Sequence, residues 1–540
     1  MFTRSRFARA RVGVVRRTVD KYYARAKRYR ILGNVDSLRD QALAPLSRAD
    51  AERLLPQLAS GRQTLERRIL RARALKYMES FDLAWAELST LYPAIRDPLL
   101  QARVAVDLMH LSYYLVRRDD FQRYRGLAQT AAAGDPLLLA EFHLGSSIVN
   151  TASNEVRQAL VEARRSEDAL AVAPRSRSRD LVSTRLQRQL AHLLSHSADY
   201  VGARAAAEAT VRNAARINDA AEAAWAIYTV GFVDWFAGRV DGAVDAFTRA
   251  EAGLHQYGSS VWRYTLLCLG RARLERGELT EGERLARQST TGAAEDHAHI
   301  ALLRGEADVA DLILTRAGTG MPEDEQFRDF VRAIVTGQKG DPKRAARMLE
   351  KSTREFEARG MDHWAIGAAV HGAFWREQMV RGGGAARAVS LVRDIATRGG
   401  EGFAYYLPDV AAWLGRVAER DIGARKLART IRARADAAHA RARADAGEGA
   451  GASALDEATY GLRSAGLTWR EIGILREMER LSREGTQLDR GALAKRLGVS
   501  PNTLRVHLTR IRAKLDVADK RGDEVVLEAA LSRRLGPLAS

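Results

Sequence analysis

The sequence contains a single cysteine, Cys268, among its 540 residues. One thiol cannot form an intramolecular disulfide, and it cannot supply the several thiolates of a structural zinc site. This scarcity excludes a disulfide-stapled secreted domain and is typical of a reducing compartment. We therefore expect a cytoplasmic protein.

Long apolar segments are also missing. A helix needs about 20 consecutive apolar residues to cross a bilayer. The longest apolar candidate, residues 223–233, is much shorter and is bounded by Glu222 and Asp234. We predict a buried helix there and no membrane partner.

Catalytic sequence motifs are absent as well. The chain has no Gly-x-x-x-x-Gly-Lys-Ser/Thr phosphate loop, no Gly-x-Ser-x-Gly nucleophile elbow and no His-Glu-x-x-His zinc pair. Residues 295–299 read Glu-Asp-His-Ala-His, but alternating histidines point to different sides of a helix, so a structural role is preferred. The sequence predicts no enzymatic activity, no cofactor and no metal site.

Acidic residues are too few to balance the basic ones. Lys and Arg number 86 against 67 Asp and Glu, which leaves a formal charge of +19. Such a charge favours a polyanionic partner. Residues 1–30 hold eleven basic residues and one acid, Asp20. We interpret them as a basic arm or capping helix that adds nonspecific phosphate contacts; a mitochondrial-type transit peptide is the less favoured alternative.

The most informative segment that is present lies near the C-terminal end, at residues 491–515. It contains six basic residues and no acid. Gly498 can end one helix in the left-handed conformation, Ser500 can cap the next helix, and Pro501 suits its first position. Leu504, Leu508, Ile511 and Leu515 then lie within about 40° of one another on one helix face. Asn502, Val506, Thr509, Arg510 and Ala513 point away from it. We predict a DNA-recognition helix whose outward face enters the major groove.

The same region resembles the LuxR/GerE-type helix-turn-helix from residue 467 to the end of the chain. Residues 467–472 read Leu-Thr-Trp-Arg-Glu-Ile, and residues 497–517 match the family's helix pair. Thr468 and Glu471 make a capping box for the first helix. The resemblance implies that Thr503 touches a phosphate, that Arg505, Val506 and Thr509 meet bases, and that a fourth helix over residues 523–531 supports a homodimer. The complete predicted DNA-binding set is Ser500, Asn502, Thr503, Arg505, Val506, Thr509, Arg510 and Lys514.

One segment departs from that family. The connection at residues 480–490 is longer than the family usually has. Winged-helix and sigma-factor domains use related helix pairs with other connections. Sequence-specific binding to double-stranded DNA is therefore predicted more firmly than the LuxR-type assignment.

Residues 61–430 repeat a helix-hairpin pattern. A small residue is followed four and seven positions later by an apolar or small one, as in the second helix of a tetratricopeptide repeat. The triplets are Ala84/Leu88/Leu91, Ala203/Ala207/Thr210, Ala243/Phe247/Ala250, Ala345/Leu349/Ser352 and Ala388/Val392/Ile395. Short side chains let paired helices approach closely, and glycine closes the turn between them. The pattern resembles tetratricopeptide domains with the near-40-residue unit found ahead of some bacterial helix-turn-helix regulators, including those like the maltose regulator. A plain helical bundle is the alternative.

We therefore predict an all-α protein, a tetratricopeptide-like helical-hairpin superhelix followed by a small helix-turn-helix domain. The expected domains are a leader with first helices (1–60), the array (61–430), an Ala/Gly/Arg-rich linker (431–460) and the DNA-binding domain (461–540). Most array aromatics should be core, with a minority lining a ligand groove: Trp225, Trp235, Phe236, Trp262, Trp364, Phe374 and Trp375.

The predicted function is a transcription regulator whose array senses a protein, peptide or small-molecule effector. RNA polymerase is a further partner that such a regulator can contact. Two alternatives stay open: an interaction scaffold with only nonspecific nucleic-acid binding, and a divergent sigma-factor-like protein.

Overall fold

The computed structural model describes residues 38–257, 261–289, 294–316, 322–380, 382–403, 407–447, 462, 467, 469–483, 489–497, 499–519 and 522–532. These residues form helices joined by turns, and no strand occurs among them. The predicted all-α class is confirmed. No helix in this part of the chain is both long and apolar enough to cross a membrane.

Several sequence predictions lie outside the described residues. They concern the basic arm at residues 1–30, the Gly/Ala-rich part of the linker at 448–460, the capping residue Thr468, the turn residue Gly498 and the centre of the long connection at 484–488.

The described chain divides into two compact units. The first contains residues up to 234 together with 245–265, and the second contains 235–244 together with residues from 266 onward. This division falls inside the segment predicted as one array. The predicted domain boundaries stay a prediction.

The helices up to residue 275 are short and closely spaced. They are α1 (Leu38–Leu43), α2 (Arg48–Ala59), α3 (Leu65–Tyr77), α4 (Phe81–Leu91), α5 (Pro98–Tyr114), α6 (Arg118–Ala132), α7 (Pro136–Ala152), α8 (Val156–Val172), α9 (Arg177–His196), α10 (Tyr200–Ile217), α11 (Ala220–Phe236), α12 (Val240–Gln256) and α13 (Val261–Glu275), with a 3-10 turn at Tyr92–Ala94.

The remaining helices belong to the second unit. They are α14 (Leu279–Ser289), α15 (Ala294–Leu303), α16 (Ala307–Arg316), α17 (Pro322–Gln338), α18 (Pro342–Ala358), α19 (Asp362–Met379), α20 (Ala385–Thr397), α21 (Pro408–Ala418), α22 (Arg425–Gly447), α23 (Trp469–Arg483), α24 (Arg490–Arg496), α25 (Pro501–Lys514) and α26 (Asp523–Ser532).

Four of these helices start with the same local signal. Asp97, Asp135, Asp341 and Ser500 are N-caps whose side chains accept hydrogen bonds from the first-turn backbone, and a proline follows each of them. The cap satisfies a backbone N–H that has no partner within the helix, and proline has no N–H to leave unsatisfied. These starting points are therefore set within a few residues of sequence.

The predicted repeat triplets lie in the interior of the packed helices. Within each unit, helices that follow one another in sequence pack side by side, for example α3 with α4, α9 with α10 and α17 with α18. All fifteen triplet residues are buried. The helical-hairpin array is confirmed, and the burial of its small residues is in agreement with close packing of paired helices.

Left-handed residues close the turns between these hairpins, and only some of them are glycine. Gly277 and Gly340 have φ values of +84° and +100°. In the first unit, the corresponding residues at three turns are Glu79, Asn154 and Ala198, with φ near +60°. Glycine therefore closes some of the hairpin turns, and other residues adopt the left-handed conformation at the rest.

The C-terminal region has its own hydrophobic core. Among the described residues, this cluster is made only of side chains between Leu462 and Ala530. Ile472, Leu475 and Met478 contribute to it from α23, in agreement with their predicted inward orientation. The helix pair α24 and α25 packs on this core through Leu493, Leu504, Leu508 and Ile511.

Candidate nucleic-acid interface

The helix pair α24 and α25 is built by capping groups on both helices. Asp489 accepts a hydrogen bond from the backbone N–H of Ala492 at 2.7 Å and starts α24. Ser500 Oγ accepts from the backbone N–H of Thr503 at 3.0 Å and starts α25. The predicted cap and start of the second helix are confirmed.

One face of α25 is buried and the other is exposed, as the helical spacing predicts. Leu504, Leu508, Ile511 and Leu515 are buried in the C-terminal core. Val506 is 42% exposed, although it is apolar. A solvent-facing valine between polar neighbours is suited to contact a thymine methyl group.

The exposed face presents several hydrogen-bonding groups. Asn502, Thr503, Arg505, Thr509 and Arg510 are all exposed. The Arg505 guanidinium donates to Asn502 Oδ1 at 2.9 Å, one helical turn toward the N-terminus. Helical spacing alone leaves Arg505 on the flank of the helix, and this hydrogen bond brings its guanidinium to the outward-facing Asn502.

Three of the six cations in residues 491–515 have acidic partners from elsewhere in the C-terminal region. Arg496 pairs with Glu477 at 3.4 Å, Arg512 pairs with Asp523 at 2.8 Å, and Lys514 pairs with Glu471 at 2.7 Å. These three acids lie outside residues 491–515, a segment whose six basic residues and lack of acids give it a charge of +6. Because the acids neutralise three of the six cations, the charge available to a partner is smaller than +6.

Asp523 is the centre of one of these ion-pair groups. Arg490 binds its carboxylate through two nitrogens, at 2.6 and 2.9 Å, and Arg512 binds it as well. The hydrogen bond from Arg490 is the main reason why the pKa of Asp523 lies below its usual range, and the Arg512 guanidinium lowers it further, although partial burial raises it. This group ties the start of α26 to α24 and α25.

The other three cations stay available. In the described part of the chain, Lys495, Arg505 and Arg510 form no ion pair. Guanidinium groups bind guanine edges, amides bind adenine, and Lys binds phosphate as a point charge. The exposed face of α25 therefore carries chemical groups of the kinds that bind base edges, and Lys495 is a further exposed cation.

Among known proteins, only solved structures are similar to this chain in the comparisons made, and their sequence identity to it is low. No protein-family model matches the chain, and no curated protein matches it. Among solved structures, it is similar to a Rap protein complexed with Competence and Sporulation Factor, at 14% identity and a TM-score of 0.37, over 72% of this chain and 99% of that one. It is also similar to the apo form of RapI, at 13% identity and a TM-score of 0.32, over 68% of this chain and 99% of that one.

A third similarity is to the APC/C hetero-tetramer Cut9-Hcn1, at 10% identity and a TM-score of 0.27, over 74% of this chain and 92% of that one. Identities and TM-scores this low do not indicate a function for this chain.

The sequence analysis missed a second site, a cavity of about 360 Å³ in the first unit. Trp225 lines it, whereas Trp235, Trp364 and Trp375 are core residues. The signal that was overlooked is the set of charged residues in the array helices at positions that packing makes partly buried, such as Arg185 and Arg188 in α9.

Proposed function

We propose that this protein is a DNA-binding transcription regulator whose helical-hairpin array senses an effector. The observation that carries the proposal is the outward face of α25, where Asn502, Arg505 and Thr509 surround an exposed valine and no acidic residue occurs. A solvated helix face usually mixes Glu with Lys, so this composition favours a polyanionic partner.

The predicted DNA contacts divide into two chemical groups. Asn502, Arg505, Val506 and Thr509 are placed to meet base edges, and they would supply sequence specificity. Thr503, Arg510 and Lys495 are placed to meet phosphates, and they would supply affinity at any sequence. Ser500 caps the helix and would act by positioning it.

Only part of the surface of the last helix, α26, is available for dimerisation. Val526, Leu527 and Ala530 of α26 are buried in the core of the C-terminal region. A homodimer formed by this helix must use its exposed face, which carries Glu524 and Glu528.

The experiment is an electrophoretic mobility-shift assay with the full chain. Genomic fragments enriched by the protein are compared with random duplexes of equal length at several salt concentrations. The variant combines Asn502→Ala, Arg505→Ala and Thr509→Ala, and Arg212→Ala serves as an exposed control in the array. We expect the triple variant to lose preference for enriched fragments and the control to keep it.

The same assay addresses the alternatives. An interaction scaffold would bind enriched and random duplexes equally, and the triple variant would then have no effect on preference. A sigma-factor-like protein would bind core RNA polymerase in a pull-down without DNA. Either result would contradict the proposal.

A further inference from the structure

The cavity in the first unit has charged groups on its walls. Its lining includes Lys76, Arg185 and Arg188 on the basic side and Glu141 and Glu222 on the acidic side. These groups come from α3, α7, α9 and α11, so the cavity is formed only when these helices pack together.

Two lining residues, Lys76 and Glu141, form buried ion pairs with residues that do not line the cavity. Asp107 accepts from Arg73 and from Lys76, each at 2.6 Å. Glu141 binds Arg103 through both oxygens, at 2.6 and 2.7 Å. All five side chains are buried. Three cations therefore share two carboxylates here.

A second group lies on α9 and α11. Glu222 accepts from Arg185 at 3.1 Å and from Arg188 at 3.2 Å. Arg185 also donates to the hydroxyl of Tyr77 at 3.2 Å, and Arg188 lies over the ring of Trp225 at 4.4 Å. Two cations share one carboxylate.

The charged residues that line the cavity are four basic ones, Arg48, Lys76, Arg185 and Arg188, and three acidic ones, Glu79, Glu141 and Glu222, so the wall has one more positive charge than negative charges. Arg48 lies between Glu79 and the surface residue Glu52, each at 3.4 Å, so the excess falls to the groups around Lys76, Arg185 and Arg188. Burial lowers the pKa of Arg188, and the neighbouring Arg185 lowers it further against the pull of Glu222. Uncompensated charge in a partly dry site is costly, and an anion entering the cavity would offset it.

His110 lies in the same wall and contacts Lys76. Its Nδ1 lies 3.1 Å from Lys76 Nζ, and because an ammonium group only donates, Nδ1 must accept. Burial, followed by the Lys76 charge, lowers the pKa of His110 to about 3, so the ring stays neutral and carries its proton on Nε2.

The Nε2 atom of His110 is buried and has no hydrogen-bond partner among the described residues. It lies beside Gly145, where an added Cβ would be 1.6 Å away. Glycine is therefore needed at position 145 to leave room for the imidazole. Both residues line the cavity, and the buried Nε2–H packs against Gly145.

The cavity also has an aromatic wall. Tyr114 is 47% exposed and stacks on Phe81, with 4.7 Å between ring centroids and 5° between planes. Leu144, Ile148 and Val149 complete an apolar surface. A flat apolar body can stack on this wall while its charged group reaches the cations.

We propose that this cavity binds a carboxylate group carried on a flat apolar body, most simply a small aromatic acid. Its volume lies near the lower end of the range of about 300–1,000 Å³ for small-molecule sites, which suits one small ligand. This inference deepens the proposed function, because it names the effector class that the array would sense.

The experiment measures binding to the full chain without DNA by isothermal titration calorimetry. The probes are indole-3-acetate and its neutral amide, indole-3-acetamide, which differ in charge and hardly in shape. A second pair is a short hydrophobic peptide with a free or an amidated C-terminus, so that the source of the carboxylate is identified. We expect each acid that binds to bind about tenfold or more tightly than its amide.

Two variants and a control locate the site. Arg188→Gln should weaken acid binding by about tenfold or more while leaving amide binding unchanged. Tyr114→Ala removes an exposed ring, so it should fold normally and weaken acid and amide together. Arg212→Gln changes an exposed arginine of the same unit and should bind as the unaltered protein does. Circular dichroism checks that each variant is folded.

The proposal is overturned if neither acid probe binds at millimolar concentration, if acid and amide bind equally, or if Tyr114→Ala binds the acid normally. If Arg188→Gln fails to fold, the acid-to-amide comparison and Tyr114→Ala decide alone. A specific DNA shift in ligand-free protein, together with no acid binding, would overturn the cavity proposal and leave the DNA-binding proposal intact.

Discussion

Lys514 and Glu471 form an ion pair that joins the helix α25 to the helix α23, with 2.7 Å between Nζ and Oε2. The Glu471 side chain is 2% exposed and that of Lys514 is 29% exposed. The lysine therefore supports the position of α25. Its predicted contact with phosphate would compete with this pair.

Replacing Lys514 tests that structural role. Lys514→Ala removes a charged partner from a buried carboxylate and should destabilise the C-terminal region by about 1–2 kcal/mol, at the lower end for such a loss because the lysine is partly exposed. Hydrogen–deuterium exchange of peptides from residues 501–514 measures the change. Lys495→Ala, an exposed lysine without an acidic partner, should leave exchange unchanged. Equal exchange in both variants would contradict the assignment.

Arg505 is predicted to read a base. Arg505→Ala should cost about 1–3 kcal/mol at a preferred site and hardly affect random duplexes. Lys495→Ala should weaken binding to both kinds of duplex alike. It should also lower the slope of the logarithm of the binding constant against the logarithm of the salt concentration by about one unit. Titrations at several salt concentrations separate the two results. Equal losses for Arg505→Ala on both duplexes would show that Arg505 meets only phosphate.

Leu508 lies in the core of the C-terminal region and is 2% exposed. Leu508→Ala should leave a cavity and destabilise this region by about 2–5 kcal/mol. Val506→Ala, on the exposed face of the same helix, should change stability by about 0.5 kcal/mol or less. Exchange rates over α25 compare the two. If Leu508→Ala is as stable as the unaltered protein, Leu508 does not belong to the buried face of α25.

Glu275 predicts a pH dependence in the second unit. Burial raises the pKa of Glu275 to about 7, against the opposing effects of Arg271 and of the hydrogen bond from Trp235 Nε1 at 3.0 Å. The folded protein therefore keeps a proton that the unfolded chain releases near its ordinary pKa of about 4.4. Stability should fall as pH rises from about 4.5 to 7 and level off above that range.

Glu275→Gln keeps an acceptor for Trp235 and removes the titration. Thermal unfolding followed by circular dichroism gives the unfolding temperature of each protein. We expect the unfolding temperature of Glu275→Gln to rise relative to that of the unaltered protein when the pH is raised from 5 to 8. Asp241→Asn, an exposed carboxylate in the same unit, is the control. Parallel pH profiles for Glu275→Gln and the unaltered protein would show that Glu275 does not cause the dependence.

Substitution of Gly238, which lies in a hairpin turn, should strongly destabilise the protein. Its φ is +75°, and a Cβ there would lie 2.3 Å from the backbone nitrogen of Gly402. Gly238→Ala should destabilise the second unit by more than about 1 kcal/mol, because backbone must move in addition to the conformational strain. Gly473 has nothing within 4 Å of its Cβ position, so Gly473→Ala should be neutral or slightly stabilising. Thermal unfolding of both variants tests the contrast.

Local sequence was sufficient for the helices and for the faces that they bury. The Asp-Pro and Ser-Pro starts, the repeat triplets and the stripe from Leu504 to Leu515 all depend on residues a few positions apart. Capping and the period of about 3.6 residues act over that distance. The outward residues of α25 could therefore be predicted before their burial was known.

Tertiary structure decided which charges are available and where a ligand fits. Lys514 meets Glu471 across 43 positions of sequence, and Lys76 meets His110 across 34. No local pattern predicts such partners, because electrostatic energy depends on distance and burial in space. The left-handed turn at Ala198 and the close approach of Gly238 to Gly402 depend likewise on packing. The sequence determined the helices, and only their packing placed unbalanced cations beside an aromatic wall.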